Sequence, residues 1–171
     1  GPVANVNDAP TGSPATLADT VEEANYTISV KDLLGTYSDA DGDSLSVSNL
    51  TIDYGQGWSG ATPSPVLDAS GLFYTLALPA DFSGTVNLSY DVSDGTSPIQ
   101  GSASFAVAGV NDAPTGAPDS DIDDGSGTED TAYTVDSADL LSGFTDVDGD
   151  PMVVVNLVAD HGTVTQNGDG N

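Results

Sequence analysis

Glu22-Glu23-Ala24-Asn25-Tyr26-Thr27-Ile28 returns 107 residues later as Glu129-Asp130-Thr131-Ala132-Tyr133-Thr134-Val135. At the same spacing Asp32-Leu33-Leu34 returns as Asp139-Leu140-Leu141. So does Tyr37-Ser38-Asp39-Ala40-Asp41-Gly42-Asp43, as Phe144-Thr145-Asp146-Val147-Asp148-Gly149-Asp150. Val6-Asn7-Asp8-Ala9-Pro10-Thr11 recurs as Val110-Asn111-Asp112-Ala113-Pro114-Thr115, but 104 residues on. A chain repeating itself in this order folds as one domain followed by a similar one. The three extra residues of the second copy are expected in the acidic, Gly-rich stretch from Asp119 to Thr128. Nothing in the second copy matches Phe73 to Val107. Its domain is therefore expected to be incomplete, with an exposed edge prone to pairing.

The Asn-Asp-Ala-Pro stretches are stiff joints, because proline fixes its own φ and holds the residue before it extended. They divide the chain into an N-terminal linker (1–11), a first domain (12–109), a second linker (110–115) and the start of a second domain (116–171). A chain opening on a linker reads as a piece from within something longer, with Gly1-Pro2 as a cloning scar.

Within the first domain the signals are for strands. Leu72, Tyr74, Leu76 and Leu78 alternate with other residues, as do Val86, Leu88, Tyr90 and Val92, then Ala103, Phe105 and Val107. Period two in apolar residues marks half-buried strands. Gly, Pro, Asn and Asp punctuate them at sandwich spacing. Lys31 to Gly35 is expected to form a single helical turn whose leucines plug the core. Met152 to Val158 and Thr163 to Thr165 read as strands of the second copy. The fold class is all-β, with tandem antiparallel Greek-key β-sandwiches, the second incomplete.

Charge narrows the function. Acidic residues number 27 against one basic residue, Lys31, for a net charge of −26. Such a chain has no cations to neutralise phosphates, which excludes ordinary nucleic-acid binding and an anionic membrane surface. No apolar run is long enough to span a membrane. Cysteine is absent, so neither disulfides nor thiolate metal sites form. Two carboxylates about 4 Å apart repel by roughly 4 kcal/mol at an effective dielectric near 20. Clustered aspartates therefore need counter-charge, and metal cations are the expected source.

Asp39-Ala40-Asp41-Gly42-Asp43 and Asp146-Val147-Asp148-Gly149-Asp150 are where such ions belong. Alternate Asp residues around a Gly turn aim several carboxylates at one point, which suits a hard, oxygen-loving cation, above all Ca2+. The plain alternative is an acidic turn. Neither copy is an EF-hand, since the positions that need Gly and Glu carry Ser44 and Leu50, or Pro151 and Leu157.

Taken together, the Asn-Asp-Ala-Pro linkers, Glu-Asp-Thr, Asp-Leu-Leu, Asp-x-Asp-Gly-Asp and Val-Ser-Asp-Gly resemble cadherin repeats. The version here is similar to the bacterial cadherin-like repeats of very large RTX-type adhesins exported by type I secretion. The resemblance implies Ca2+ between successive domains. Its ligands would be Glu22, with Glu23 as a substitute, and Asp81 from the first domain. Asn111 and Asp112 would come from the linker, and Asp146 and Asp148 from the second domain. Asp81 lacks the second acid of the cadherin loop. By the same mapping Asp39, Asp41 and Asp94 face the first linker at Asn7 and Asp8, and Glu129 serves a downstream junction. Asp43 and Asp150 are left as outer-shell or turn residues.

The function this implies is a calcium-rigidified extender of an extracellular, cell-surface adhesin. Its partners are neighbouring repeats of the same chain, and host or surface glycans or proteins, without membrane insertion. The competing reading is a carbohydrate- or protein-binding module, with Trp58 as the candidate contact. Catalysis is not expected: there is no Cys, and the single His161 sits by Gly162 as a turn residue. The acidic run Asp119 to Asp124 reads as a solvated loop with a lesser claim to an ion of its own.

Overall fold

The computed structural model describes residues 2–118 and 127–168. The acidic run Asp119 to Asp124 lies outside them. The chain divides into two compact units, Gly1–Val110 and Asn111–Asn171.

Unit 1 contains β1 (Thr11–Gly12), β2 (Ala15–Thr16), β3 (Thr20–Val21), β4 (Asn25–Ser29), α1 (Val30–Leu34) and β5 (Tyr37–Ser38). It continues with β6 (Ser46–Asp53), β7 (Val66–Leu67), β8 (Phe73–Ala77), β9 (Gly84–Ser93) and β10 (Pro98–Ala108). Unit 2 contains β11 (Thr115–Gly116), α2 (Ser137–Leu141) and β12 (Phe144–Thr145). Among the described residues the protein is all-β, with two single-turn helices.

In unit 1 one sheet runs β2-β10-β9-β6, with β3 also pairing β10, and faces a second sheet ordered β4-β8-β7. β9 and β10 form its longest antiparallel ladder, from Pro98 opposite Ser93 to Val107 opposite Gly84. The period-two reading holds along this hairpin. Val86, Leu88, Tyr90, Val92, Ala103, Phe105 and Val107 all point inward and are buried. Each such side chain contributes roughly 1.5–3 kcal/mol by leaving water, alanine less. From the other sheet Tyr26, Ile28, Tyr74 and Leu76 close the core, and the Tyr26 ring stacks on Phe105 at 4.1 Å.

Three local features depart from simple alternation. Leu72 shares the parity of Tyr74 and Leu76 yet is 59% exposed. β8 begins only at Phe73, and Leu72 lies in the turn before it, its carbonyl accepting from the Val30 amide. In β6 the register against β9 shifts between Ser48 and Thr51. Asn49 sits there at φ 53°, and its side-chain amide donates to Asp91 Oδ2 at 2.7 Å. The inward set therefore changes from Val47 to Leu50 and Ile52. Gly101 faces the Tyr90 ring so closely that a Cβ would come within 2.7 Å of it.

α1 is the expected core plug. Leu33 is fully buried, and its carbonyl accepts a 2.7 Å hydrogen bond from the Tyr90 hydroxyl. Ser102 O lies 3.1 Å from the same hydroxyl, as the second, weaker acceptor of its single proton. Burial first, and the neighbouring Tyr37 second, push the Tyr90 phenol well above its ordinary pKa.

Unit 2 repeats the local geometry of the first half of unit 1. β11 pairs β12 as β1 pairs β5, and α2 stands where α1 does, capped by Asp136 accepting from the Ala138 amide. The expected strands Met152 to Val158 and Thr163 to Thr165 make no sheet pairing among the described residues. A strand is stabilised by the ladder it joins. In unit 1 the counterpart β6 is held by β9, and residues 111–171 contain no match to β9. Consequently none of the described side chains of unit 2 is buried.

Candidate metal-binding loops

Each Asp-x-Asp-Gly-Asp segment follows a short strand, β5 or β12, that ends at the turn. Gly42 takes φ 79° and Gly149 φ 76°, a left-handed conformation that glycine adopts without steric cost. Both glycine amides donate back to the first aspartate's carbonyl at 3.2 Å, Gly42 to Asp39 and Gly149 to Asp146. The turn gathers the carboxylates: oxygens of Asp39, Asp41 and Asp43 lie within 4.8 Å of one another, as do those of Asp146, Asp148 and Asp150.

Hydrogen bonds fix the first aspartate of each loop. Asp39 Oδ1 accepts from the amides of Asp41 (2.9 Å) and Asp43 (3.1 Å). Asp146 Oδ1 accepts from Asp148 (3.0 Å) and Asp150 (3.1 Å). Asp39 Oδ2 is enclosed without a hydrogen-bond donor. An enclosed carboxylate oxygen lacking a donor is costly, and the chain's one basic residue, Lys31, lies on α1. A cation held by Asp39, Asp41 and Asp43 would relieve both the orphaned oxygen and the mutual repulsion. The donor set, all hard oxygens with no nitrogen or sulfur, fits Ca2+ better than a transition metal.

The linker residues are tied to the loop that follows them. The Asp8 amide donates to Asp41 Oδ2 at 2.7 Å, and the Asp112 amide to Asp148 Oδ2 at 2.7 Å. Asn7 and Asn111 each donate to the next residue's carbonyl, at 3.3 and 3.1 Å. Asn7 also donates to Asp94 Oδ2 at 2.9 Å, which brings the β9–β10 turn to the same pole of unit 1. The Asp8 amide, and then the Asn5 side chain, hold the Asp41 carboxyl below its usual range, while the charge of Asp94 opposes them. The Asp94 carboxyl is lowered first by the Ser97 amide, then by Asn7 and Thr96.

Glu22, Glu23 and Asp81 occupy the opposite pole of unit 1. Glu22 follows β3, whose Val21 pairs with Ala108 near the end of β10. It is 3% exposed, and its Oε1 accepts from the Val110 amide. Glu23 and Asp81 are exposed, at φ 60° and 64°. Glu129 is exposed in a turn of unit 2.

Asp43 and Asp150, expected as outer-shell or turn residues, have carboxylates within the clusters. One feature escaped the sequence reading. Asn5, which donates to Asp41 Oδ1 at 2.8 Å, carried no motif. Trp58 is half-buried, its ring edge-on to Phe82 at 5.2 Å and its indole N–H donating to Ala61 O.

Among solved structures, an endo-fucoidan hydrolase of glycoside hydrolase family 107 is similar over 63% of this chain and 15% of its own, at 22% identity and a TM-score of 0.41. A substituted form of that enzyme is similar over 60% and 14%, at 21% identity and a TM-score of 0.37. The chain thus spans about a seventh of the length of these proteins. No curated protein matches. A model of the cadherin-like domain matches residues 6–108 and again 110–171. With both halves of its sequence so matched, the chain belongs to the cadherin-like domain family.

Proposed function

We propose that this chain is a calcium-stiffened extender segment of a large secreted adhesin, of the RTX type, on a bacterial surface. The observation that carries this reading is the twice-repeated clamp of an Asn-Asp linker onto a three-carboxylate loop, with Asp39 Oδ2 left without a donor. Asp39, Asp41, Asp94, Asn7 and Asp8 serve one junction. Asn111, Asp112, Asp146 and Asp148 serve the next, where Glu22, Glu23 and Asp81 are assigned as the preceding domain's ligands. Ca2+ would supply positive charge there and nothing catalytic. The chain's own part is to orient carboxylates and hold the linker amide against them. Without the ion, carboxylate repulsion loosens the join; with it, linker and loop are pinned together. Extracellular calcium modules bind at about 10⁻⁴–10⁻³ M, which matches an exterior and not a cytosolic setting. Ions taken up only by the ordered join also stabilise it by mass action.

Small-angle scattering with and without millimolar calcium tests this. The wild type is expected to gain a larger, better defined maximum dimension with calcium, and Asp112→Ala to lose most of that response. An unchanged profile for the wild type would overturn the reading. The rival module reading, glycan binding through Trp58, predicts retention on a glycan array that Trp58→Ala abolishes.

A further inference from the structure

The first linker bonds to two loops of unit 1 that are far apart in sequence. The Asn5 side-chain amide donates to Asp41 Oδ1 at 2.8 Å, and the Asp8 backbone amide donates to Asp41 Oδ2 at 2.7 Å. Both oxygens of one carboxylate are thus held by the linker. Between these two residues, Asn7 donates to Asp94 Oδ2 at 2.9 Å, in the turn that joins β9 to β10. The charges of Asp41 and Asp94 oppose each other. Three N–H groups of the linker are therefore set among acids that repel, in a chain with one basic residue. A hydrogen bond to an ionised acceptor is about twice as strong as one between neutral groups. None of these three bonds needs a cation. The second linker repeats Val-Asn-Asp-Ala-Pro, and its Asp112 amide makes the matching bond to Asp148. At the 104-residue spacing of the linkers, however, Asn5 becomes Gly109, which has no side chain to donate.

We propose that Asn5 is a calcium-independent latch, a positioning residue that keeps the first linker seated on the Asp39 to Asp43 loop when calcium is low. It works by bracketing Asp41: the Asn5 amide takes one carboxylate oxygen and the Asp8 amide the other, so the chain between them cannot lift without breaking both bonds. The linker then stays in place as calcium falls, and the acids it steadies remain gathered for the next ion. This deepens the calcium reading of the junction and rests on it for its purpose, although the bonds themselves do not depend on an ion. No motif identifies the latch, because its partner is 36 residues away and the repeat does not preserve it.

Amide–water exchange at Asp8, followed by NMR on the whole chain in the presence of a chelator, tests the latch. The Asp112 amide, in the same local sequence, is the internal reference. Asn5→Ala removes the donor and should speed Asp8 exchange about three- to tenfold, with Asp112 unchanged. Asn5→Asp keeps the size and puts an acceptor where the donor was, so it should speed exchange more than Asn5→Ala does. Equal Asp8 rates in wild type and Asn5→Ala overturn the proposal. So does an Asn5→Asp variant that exchanges as slowly as wild type, since its side chain would then not face Asp41. Millimolar calcium separates the latch from the calcium reading. It should slow Asp8 exchange in both variants, an ion taking over from the lost bond. Variants that respond to the chelator experiment as expected and ignore calcium uphold the latch and overturn the calcium reading of this junction.

Discussion

The two units share their first-half sequence and differ in what surrounds it. Where structure is set within a few residues, they agree closely. Gly42 and Gly149 have the same φ within a few degrees, and the aspartate loops make the same hydrogen bonds. Where structure depends on partners far along the chain, they diverge. Leu33 is fully buried in unit 1, and its counterpart Leu140 is half-exposed. β6 lies in a sheet and its counterpart pairs with nothing described. The loop chemistry is thus a local property, and the sandwich core is supplied largely by β8, β9 and β10.

The largest effect should come from the core of unit 1, since no described side chain of unit 2 is buried. Phe105→Ala removes a buried ring stacked on Tyr26 and is expected to cost about 3–5 kcal/mol in urea unfolding. Leu140→Ala should cost about 1 kcal/mol or less. Equal costs would mean that unit 2 has a core of its own.

Next in size is the Tyr90 hydroxyl. Tyr90→Phe leaves the Leu33 carbonyl without its donor and should cost about 1–3 kcal/mol. Because the folded phenol's pKa is raised, the wild-type stabilisation is complete below the unfolded value near 10. It declines as pH rises past that value towards the folded one, since the unfolded chain releases the proton first. The Tyr90→Phe variant should show a shallower alkaline loss, and an unchanged slope would remove Tyr90 from the explanation.

The loops are expected to respond equally. Asp39→Asn and Asp146→Asn should each weaken calcium uptake about tenfold at their own loop, or about 1.4 kcal/mol, by calorimetric titration. A response from one loop alone would break the equivalence of the two loops. The smallest contrast is at the bulge. Asn49→Gly keeps the positive φ and loses the bond to Asp91, for about 0.5–1.5 kcal/mol. Asn156→Gly should be within about 0.5 kcal/mol of wild type.

This division explains what the sequence made legible. The β9–β10 hairpin was readable because Val86, Leu88, Tyr90 and Val92 alternate strictly. The aspartate loops were readable because alternate acids around a Gly recur at fixed spacing. Leu72 was misplaced, since parity says nothing about where a ladder begins. The β6 parity change at Asn49 was hidden because a bulge inserts a residue without altering composition. Met152 to Val158 has a strand's apolar content, but pairing depends on residues elsewhere.

The Asp8 amide is clamped to Asp41 and that of Asp112 to Asp148, and the second compact unit begins at Asn111, ahead of its clamp. Each Asn-Asp pair is bonded, through the Asp amide, to the acidic loop of the repeat that follows it in sequence. Shuffling these repeats, by recombination or in the laboratory, must therefore cut ahead of the Asn. A graft that begins after the proline would deliver an acidic loop stripped of the amide that steadies it.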